Sequence, residues 1–403
     1  MVSGMSETRP RTSRPRPAGS GLSPHTPTLA IDEILGDPQT RILVCCGAGG
    51  VGKTTTAAAL ALRAAEQGRR VVVLTIDPAR RLAQSLGLVE LDNTPRQVRG
   101  IDGGAGGSLD AMMLDMKRTF DEVVQAHATP EKAAQILANP FYEALSSSFA
   151  GTQEYMAMEK LGQLHDQRDA DGLPRWDLVV VDTPPSRSAL DFLDAPERLG
   201  SFLDGRFIRL LMAPARAGGR AYLKVVHLGM SVAGSALTKI LGTQMLADVQ
   251  TLVAALDTVF GGFRERATQT YALLQDEGTA FLVVASPERD ALREAGYFVD
   301  RLAADSMPLA GLIVNRMART SIRVGADEAE RVADRSEQEQ PVAAGLLRIH
   351  AGLEALAKRQ RASTRRLAEA HPGVPLALVG AAATDIHDLD GLRGVGADLA
   401  AQA

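Results

Sequence analysis

The sequence predicts an α/β protein, doubly wound around a mainly parallel sheet, with a helical insertion subdomain. Three features carry that expectation. From Arg41 onward, short apolar runs alternate with longer helical patterns; one run is followed at once by a glycine-rich loop and an alanine-rich helix; and two long stretches interrupt that rhythm, the second with helical periodicity. Apolar runs without polar alternation read as strands covered by helices on both faces, the condition of a parallel sheet.

Residues 1 to about 28 come first, with Pro10, Pro15, Pro17, Pro24 and Pro27 and almost no large apolar side chain. Such a segment buries too little surface to offset its ordering entropy, so a disordered tail is expected ahead of one domain over residues 29–403. The expected strands are Arg41 to Cys46, Val71 to Ile76, Leu109 to Leu114, Leu178 to Asp182, Ala280 to Ala285, Leu309 to Asn315 and Pro375 to Val379. Helical insertions are expected at about 115–170 and 194–276. In the second, Leu237, Ile240, Leu241, Met245, Val249, Leu252, Leu256, Phe260 and Phe263 recur every three or four residues, as on a long amphipathic helix. Met112, Met113, Met116, Met156, Met158, Met212, Met230 and Met245 fall in or beside these insertions. Methionine suits either an adaptable apolar surface or a gap-filled helical core.

Composition narrows the function. The 44 Lys+Arg against 48 Asp+Glu leave a net charge of −4, without the basic footprint of a nucleic-acid binder. Aromatics are only 4% of the chain, so platforms for stacking bases are scarce and no nucleic-acid partner is expected. The two cysteines, Cys45 and Cys46, are adjacent in an apolar run. That spacing makes neither a disulfide framework nor a thiolate metal site, and it fits a reducing, cytoplasmic compartment. With no apolar stretch of membrane-spanning length and no secretory leader, contact with a membrane is expected to be peripheral at most.

The strongest motif is Gly47-Ala48-Gly49-Gly50-Val51-Gly52-Lys53-Thr54-Thr55, between the first strand and an alanine-rich helix. Phosphate oxygens need many donors at short range, and a glycine-rich loop turns successive backbone N–H groups and a helix N-terminus toward them. Gly49, Gly50, Val51, Gly52 and Thr55 would form the cradle of an ATP site, Lys53 would reach the β and γ phosphates, and Thr54 would ligate Mg²⁺. Three further polar residues end apolar runs. Asp77, before Pro78, suits either an acid that orients the attacking water or a helix N-cap. Asp182, before Thr183-Pro184-Pro185, suits either the Walker B acid that serves Mg²⁺ or a strand-end cap. Asn315 suits either an adenine edge or a turn.

These residues resemble the arsenite-pump and tail-anchored-protein-targeting (ArsA-like) ATPases, within the deviant P-loop class that includes MinD and ParA. The likeness rests on Gly47 to Thr55, Asp77-Pro78-Ala79, Gly151-Thr152-Gln153-Glu154-Tyr155, Asp182-Thr183-Pro184-Pro185-Ser186 and Asn315. It implies that Lys53, Asp77 and Asp182 serve catalysis, that Asp182 serves Mg²⁺, that Asn315 reads adenine, and that ATP closes two subunits face to face. The sequence also departs from the family pattern. Ala48 stands where the signature lysine reaches the partner's phosphates; Ser186-Arg187-Ser188-Ala189 replaces the usual switch residues; and the C-x-x-C of an interfacial zinc and the separated cysteines of an arsenite site are both missing.

The expected function is therefore that of an Mg-dependent, ATP-hydrolysing enzyme whose nucleotide state gates a dimer and an apolar helical surface. The expected partner is a homologous ArsA-like subunit, in a heterodimer or a homodimer, and the candidate client is an apolar or membrane-protein segment. Competing readings are a non-hydrolysing regulatory ATP-binding subunit and a MinD-like positioning ATPase.

Overall fold

A computed structural model describes residues 26–77, 81–139, 142, 152–184, 265–320 and 322–401. The amphipathic pattern over 237–263, Met212, Met230, Met245, Pro78-Ala79, Gly151 and Pro185 to Ala189 lie outside the described residues, as does the tail up to residue 25. The chain divides into two compact units. One comprises Met1–Met112, Arg168–Ala189 and Leu274–Ala403, the other Met113–Gln167 and Leu190–Leu273.

The first unit is built on an eight-stranded sheet. Its strands are β1 (Ile42–Cys46), β2 (Arg70–Thr75), β3 (Arg96–Gln97), β4 (Ser108–Met113, which runs one residue past the unit's limit), β5 (Leu178–Asp182), β6 (Thr279–Ala285), β7 (Leu309–Met317) and β8 (Leu376–Gly380), in the spatial order β3-β4-β2-β5-β1-β6-β7-β8. From β2 to β8 every neighbouring pair is parallel. The seven strands expected from the apolar runs are all present, within one or two residues at each end. The eighth, β3, is a two-residue antiparallel partner of β4, and both its residues are exposed, so no apolar signal marks it.

β1, β2, β5 and β6 are Val- and Leu-rich and almost wholly buried along their lengths. This is why they read as continuous runs. Helices α1 (Ile31–Gly36), α2 (Lys53–Glu66), α3 (Arg81–Ser85), α7 (Arg289–Ala304), α8 (Ala326–Ser336), α9 (Pro341–Ala370) and α10 (Leu389–Ala400) complete this unit. Thr28, at the end of the segment read as a tail, bridges in parallel to Leu376 of β8, and Leu29 beside it is buried.

The described part of the second unit holds α4 (Met116–His127), α5 (Pro130–Leu137), α6 (Thr152–Asp166) and the helical residues 265–273. Asp115 and Thr129 cap α4 and α5 through their side chains, and Pro130 opens α5 where its missing N–H costs nothing. Met156 and Met158 are buried in α6 and Met112 in β4, so these methionines fill core. A buried carboxylate, Glu159, accepts hydrogen bonds from the Tyr155 hydroxyl at 3.1 Å and Arg266 Nε at 3.0 Å. Among the described residues no helix is long and apolar enough to cross a membrane.

The order of strands sets the position of the site. β1 is central, and the chain leaves it for β2 on one side and later fills β6, β7 and β8 on the other. The carboxyl end of β1 is thus the switch point at which doubly wound sheets place their ligands.

Candidate functional site

The loop after β1 folds as its glycines allow. Gly47, Gly50 and Gly52 have φ of 144°, 77° and 94°, a region that side chains disfavour. A Cβ on Gly47 would collide with the carbonyl oxygen of Val284 in β6, and one on Gly52 with the side-chain amide of Asn315. The crest, Gly49 and Gly50, is exposed, while Ala48 and Val51 pack with Val284 in a small apolar cluster. α2 begins directly behind with no side-chain cap, which leaves its first N–H groups facing the loop.

Lys53, at the start of α2, is buried and folds back so that Nζ donates to the Ala48 carbonyl at 2.8 Å. Burial lowers its pKa, opposed chiefly by the charge of Asp182. An ammonium held on a backbone carbonyl inside its own loop stands ready to exchange that weak partner for a phosphate.

Asp182 ends β5 with its residue wholly buried, in register with Cys45 of β1 and Thr75 of β2. Its Oδ2 accepts from the Thr54 hydroxyl at 2.8 Å and from the Thr75 hydroxyl at 2.9 Å. Its other oxygen, Oδ1, is buried without a hydrogen-bond partner. Burial raises the carboxyl pKa to about 6, opposed by the two hydroxyls and Lys53 and reinforced by the charge of Asp77. An unpartnered buried carboxylate oxygen is costly, and a carboxylate beside a threonine hydroxyl is the hard-oxygen set that Mg²⁺ favours. These residues fit that ion.

Asp77 follows β2, half-buried, its backbone N–H donating to the Thr75 hydroxyl at 3.2 Å, within electrostatic reach of both Lys53 and Asp182. Asn315, in β7, approaches the loop from the other side. Its Nδ2 donates to the Val51 carbonyl at 3.0 Å, and its Oδ1 accepts from the Arg316 N–H at 2.9 Å. In this arrangement the amide ties β7 to the loop, and its second N–H is the group left for a ligand.

Two contributors carried no motif. Thr75 shares the Asp182 carboxylate; a strand-final threonine next to an acid-ended strand was the only signal, and it needs the β2–β5 register to be read. Arg316, in the left-handed region at φ 59°, donates from Nη1 to the Gly50 carbonyl at 2.8 Å. Nothing in the sequence pairs it with a loop 266 residues away. Cys45 and Cys46 are free and buried, and burial pushes both thiols up, Cys46 to about 12, so neither offers a thiolate.

A parallel sheet with a lysine-bearing glycine loop at its switch point, backed by an uncapped helix and flanked by a buried strand-end acid, defines the P-loop nucleotide-hydrolase class. Comparison with known proteins is more particular. Residues 40–344 match the family described as anion-transporting ATPase, and the chain belongs to that family. Relatives include ATPase ARSA2 of Chlamydomonas reinhardtii, 25% identical over 293 residues and 72% of each chain. ATPase GET3B of Arabidopsis thaliana is 25% identical over 320 residues, 74% of this chain and 69% of the relative. ATPase BagA of Mycobacterium tuberculosis is 26% identical over 189 residues, 46% of this chain and 53% of the relative. The chain is accordingly an ATP-binding ATPase.

Proposed function

We propose that this ATPase is Mg²⁺-dependent and works by pairing with a homologous subunit whose lysine completes the phosphate site built on Lys53, Thr54, Asp77 and Asp182, while Ala48 leaves the partner's own site without that cation. The observation that carries the first part is the buried, unpartnered Oδ1 of Asp182 beside the Thr54 hydroxyl. Thr54 and Asp182 would hold the ion. When bound, Mg²⁺ neutralises charge on the β and γ phosphates. Lys53 leaves the Ala48 carbonyl for the phosphates, and the N–H groups of Gly49, Gly50, Val51, Gly52 and Thr55 surround them. Asp77 accepts a hydrogen bond from the attacking water and aligns it. Asn315 presents its remaining amide N–H to the base while holding the loop.

The partner subunit is supported by a feature of Ala48. Its methyl sits in the apolar cluster with Val51 and Val284, so two copies of this chain would have no cation at this position to place on each other's phosphates, and a partner that keeps the lysine would supply one. A cation placed on the transferring phosphate is worth about 10³ to 10⁵ in rate in related enzymes. The chain alone should therefore bind ATP well and hydrolyse it slowly. We further propose that the helical unit carries the client surface, for an apolar segment of a client protein. Its candidate residues Met212, Met230 and Met245 lie outside the described residues.

The test is calorimetric ATP binding with and without Mg²⁺, together with phosphate release by the chain alone and mixed with a homologous subunit that has lysine after the first loop glycine. Mg²⁺-dependent binding that Asp182→Asn weakens, slow release alone and a rise of about 10² or more on mixing support the reading. Fast hydrolysis by a monodisperse chain rejects the partner. Binding with no turnover in any mixture favours the regulatory subunit.

A further inference from the structure

The first half of α9 turns a row of large apolar side chains to solvent: Val342, Leu346, Ile349, Leu353 and Leu356, exposed by 77, 63, 63, 44 and 37%. Their spacing is four, three, four, three. That is the seam of a helix that packs lengthwise on another helix, not the scattered exposed residues any surface carries. The side that α9 buries in its own unit is a different one, formed by Ala344, His350, Ala351, Ala357 and Thr364.

Beside the seam stand Gly345 and Gly352, two helical turns apart. A Cβ on either would meet nothing within 4 Å, and neither has a positive φ. A glycine inside a helix is less favourable than alanine, and no close contact among the described residues calls for one at either position. Small residues next to an apolar seam let a second helix come close, since interaxial distance follows the side chains at the contact.

We propose that a second copy of this chain occupies the seam, with the two α9 helices packed about a two-fold axis passing near Ile349. Measured from Ile349, the other four residues lie at −7, −3, +4 and +7. The row therefore reads almost alike in both directions, and a two-fold rotation lays it on itself, the self-complementarity that an isologous interface needs. Charge agrees. Arg348, the cation nearest the axis, is engaged by Asp334 at 3.1 Å and by Glu337, so the copies do not oppose free like charges there. Area agrees as well. The five side chains offer on the order of 500 Å² per copy, at the upper end of what a monomer leaves exposed. Two copies bury about 1,000 Å² in total, where specific interfaces begin.

The seam also has a defined place in the unit. Ala318 N donates to Gln360 Oε1 and His350 Nε2 bonds Val324 O, so α9 is tied to the segment that follows β7, on the side of the sheet where the parallel strands end. The contact needs no nucleotide, so it stands apart from the ATP-driven pairing proposed above.

The experiment is sedimentation equilibrium on the full, nucleotide-free chain. A dimer is expected, and Leu346→Glu/Ile349→Glu should raise its dissociation constant about 30-fold or more, the effect of a central hot spot, with an unchanged far-ultraviolet circular dichroism spectrum. Because Cys45 and Cys46 are buried, Ile349→Cys tests the axis separately. Mild oxidation should cross-link this variant to itself and should leave Lys358→Cys, on the opposite side of the helix, uncross-linked. A wild-type monomer at the highest attainable concentration overturns the proposal, as does a dimer that survives the double substitution. A monomer that sediments with phosphatidylserine vesicles through the same residues also overturns it, in favour of a membrane surface. Loss of seam pairing with ATP binding intact would leave the nucleotide reading standing, and the reverse holds equally.

Discussion

Asp182→Asn should separate stability from activity, because the carboxylate's burial opposes folding at the pH where the enzyme works. Burial moves its pKa from the ordinary 3.8 to about 6. The folded chain thus holds a proton that the unfolded chain has released across that interval, and stability falls as pH rises through it. About two pK units at 1.36 kcal/mol each give a penalty of about 3 kcal/mol, fully present above about pH 6 and absent below about pH 4. Asparagine cannot ionise, and its amide oxygen can still accept from Thr54 and Thr75. The assay is urea unfolding of both proteins in chelator without nucleotide, from pH 4 to pH 8. The free-energy difference in favour of the variant should grow by about 3 kcal/mol between pH 4 and pH 7 and then level off, while hydrolysis is lost. The difference cancels every contribution the two proteins share. A difference that stays flat with pH would refute the claim that the burial of this charge is what the fold bears.

Three further outcomes are expected. Lys53→Ala should remove measurable ATP binding in calorimetry, since it deletes the only buried cation of the loop; unchanged affinity would sink the site assignment. Gly47→Ala forces a Cβ against the Val284 carbonyl at φ 144°, so thermal unfolding should show a loss of 2 kcal/mol or more, roughly the upper range for single substitutions. Asn315→Leu strips the Val51 carbonyl of its partner, at about 1–2 kcal/mol, and should raise KM more than it lowers kcat. A fall in kcat with KM unchanged would place Asn315 in the chemical step instead.

The sequence by itself determined the fold class, because strands buried on both faces must be apolar throughout and the glycine loop has few other uses. It also singled out Lys53 and Thr54 through the loop motif that phosphate chemistry demands, and Asp182 as the acid that ends an apolar strand. It left Asp77 and Asn315 between a ligand role and a cap or turn, since a strand-final polar residue serves either purpose.

The tertiary structure alone decided which groups meet. Register brings Thr75 alongside Asp182, and the β7 position brings Asn315 and Arg316 onto the loop, pairings separated by 107, 264 and 266 residues. It also decided which of two apolar periodicities in α9 is buried. Periodicity reports that a helix has an apolar side; only packing against α8 and the sheet settles which side the molecule has used and which it leaves for another chain.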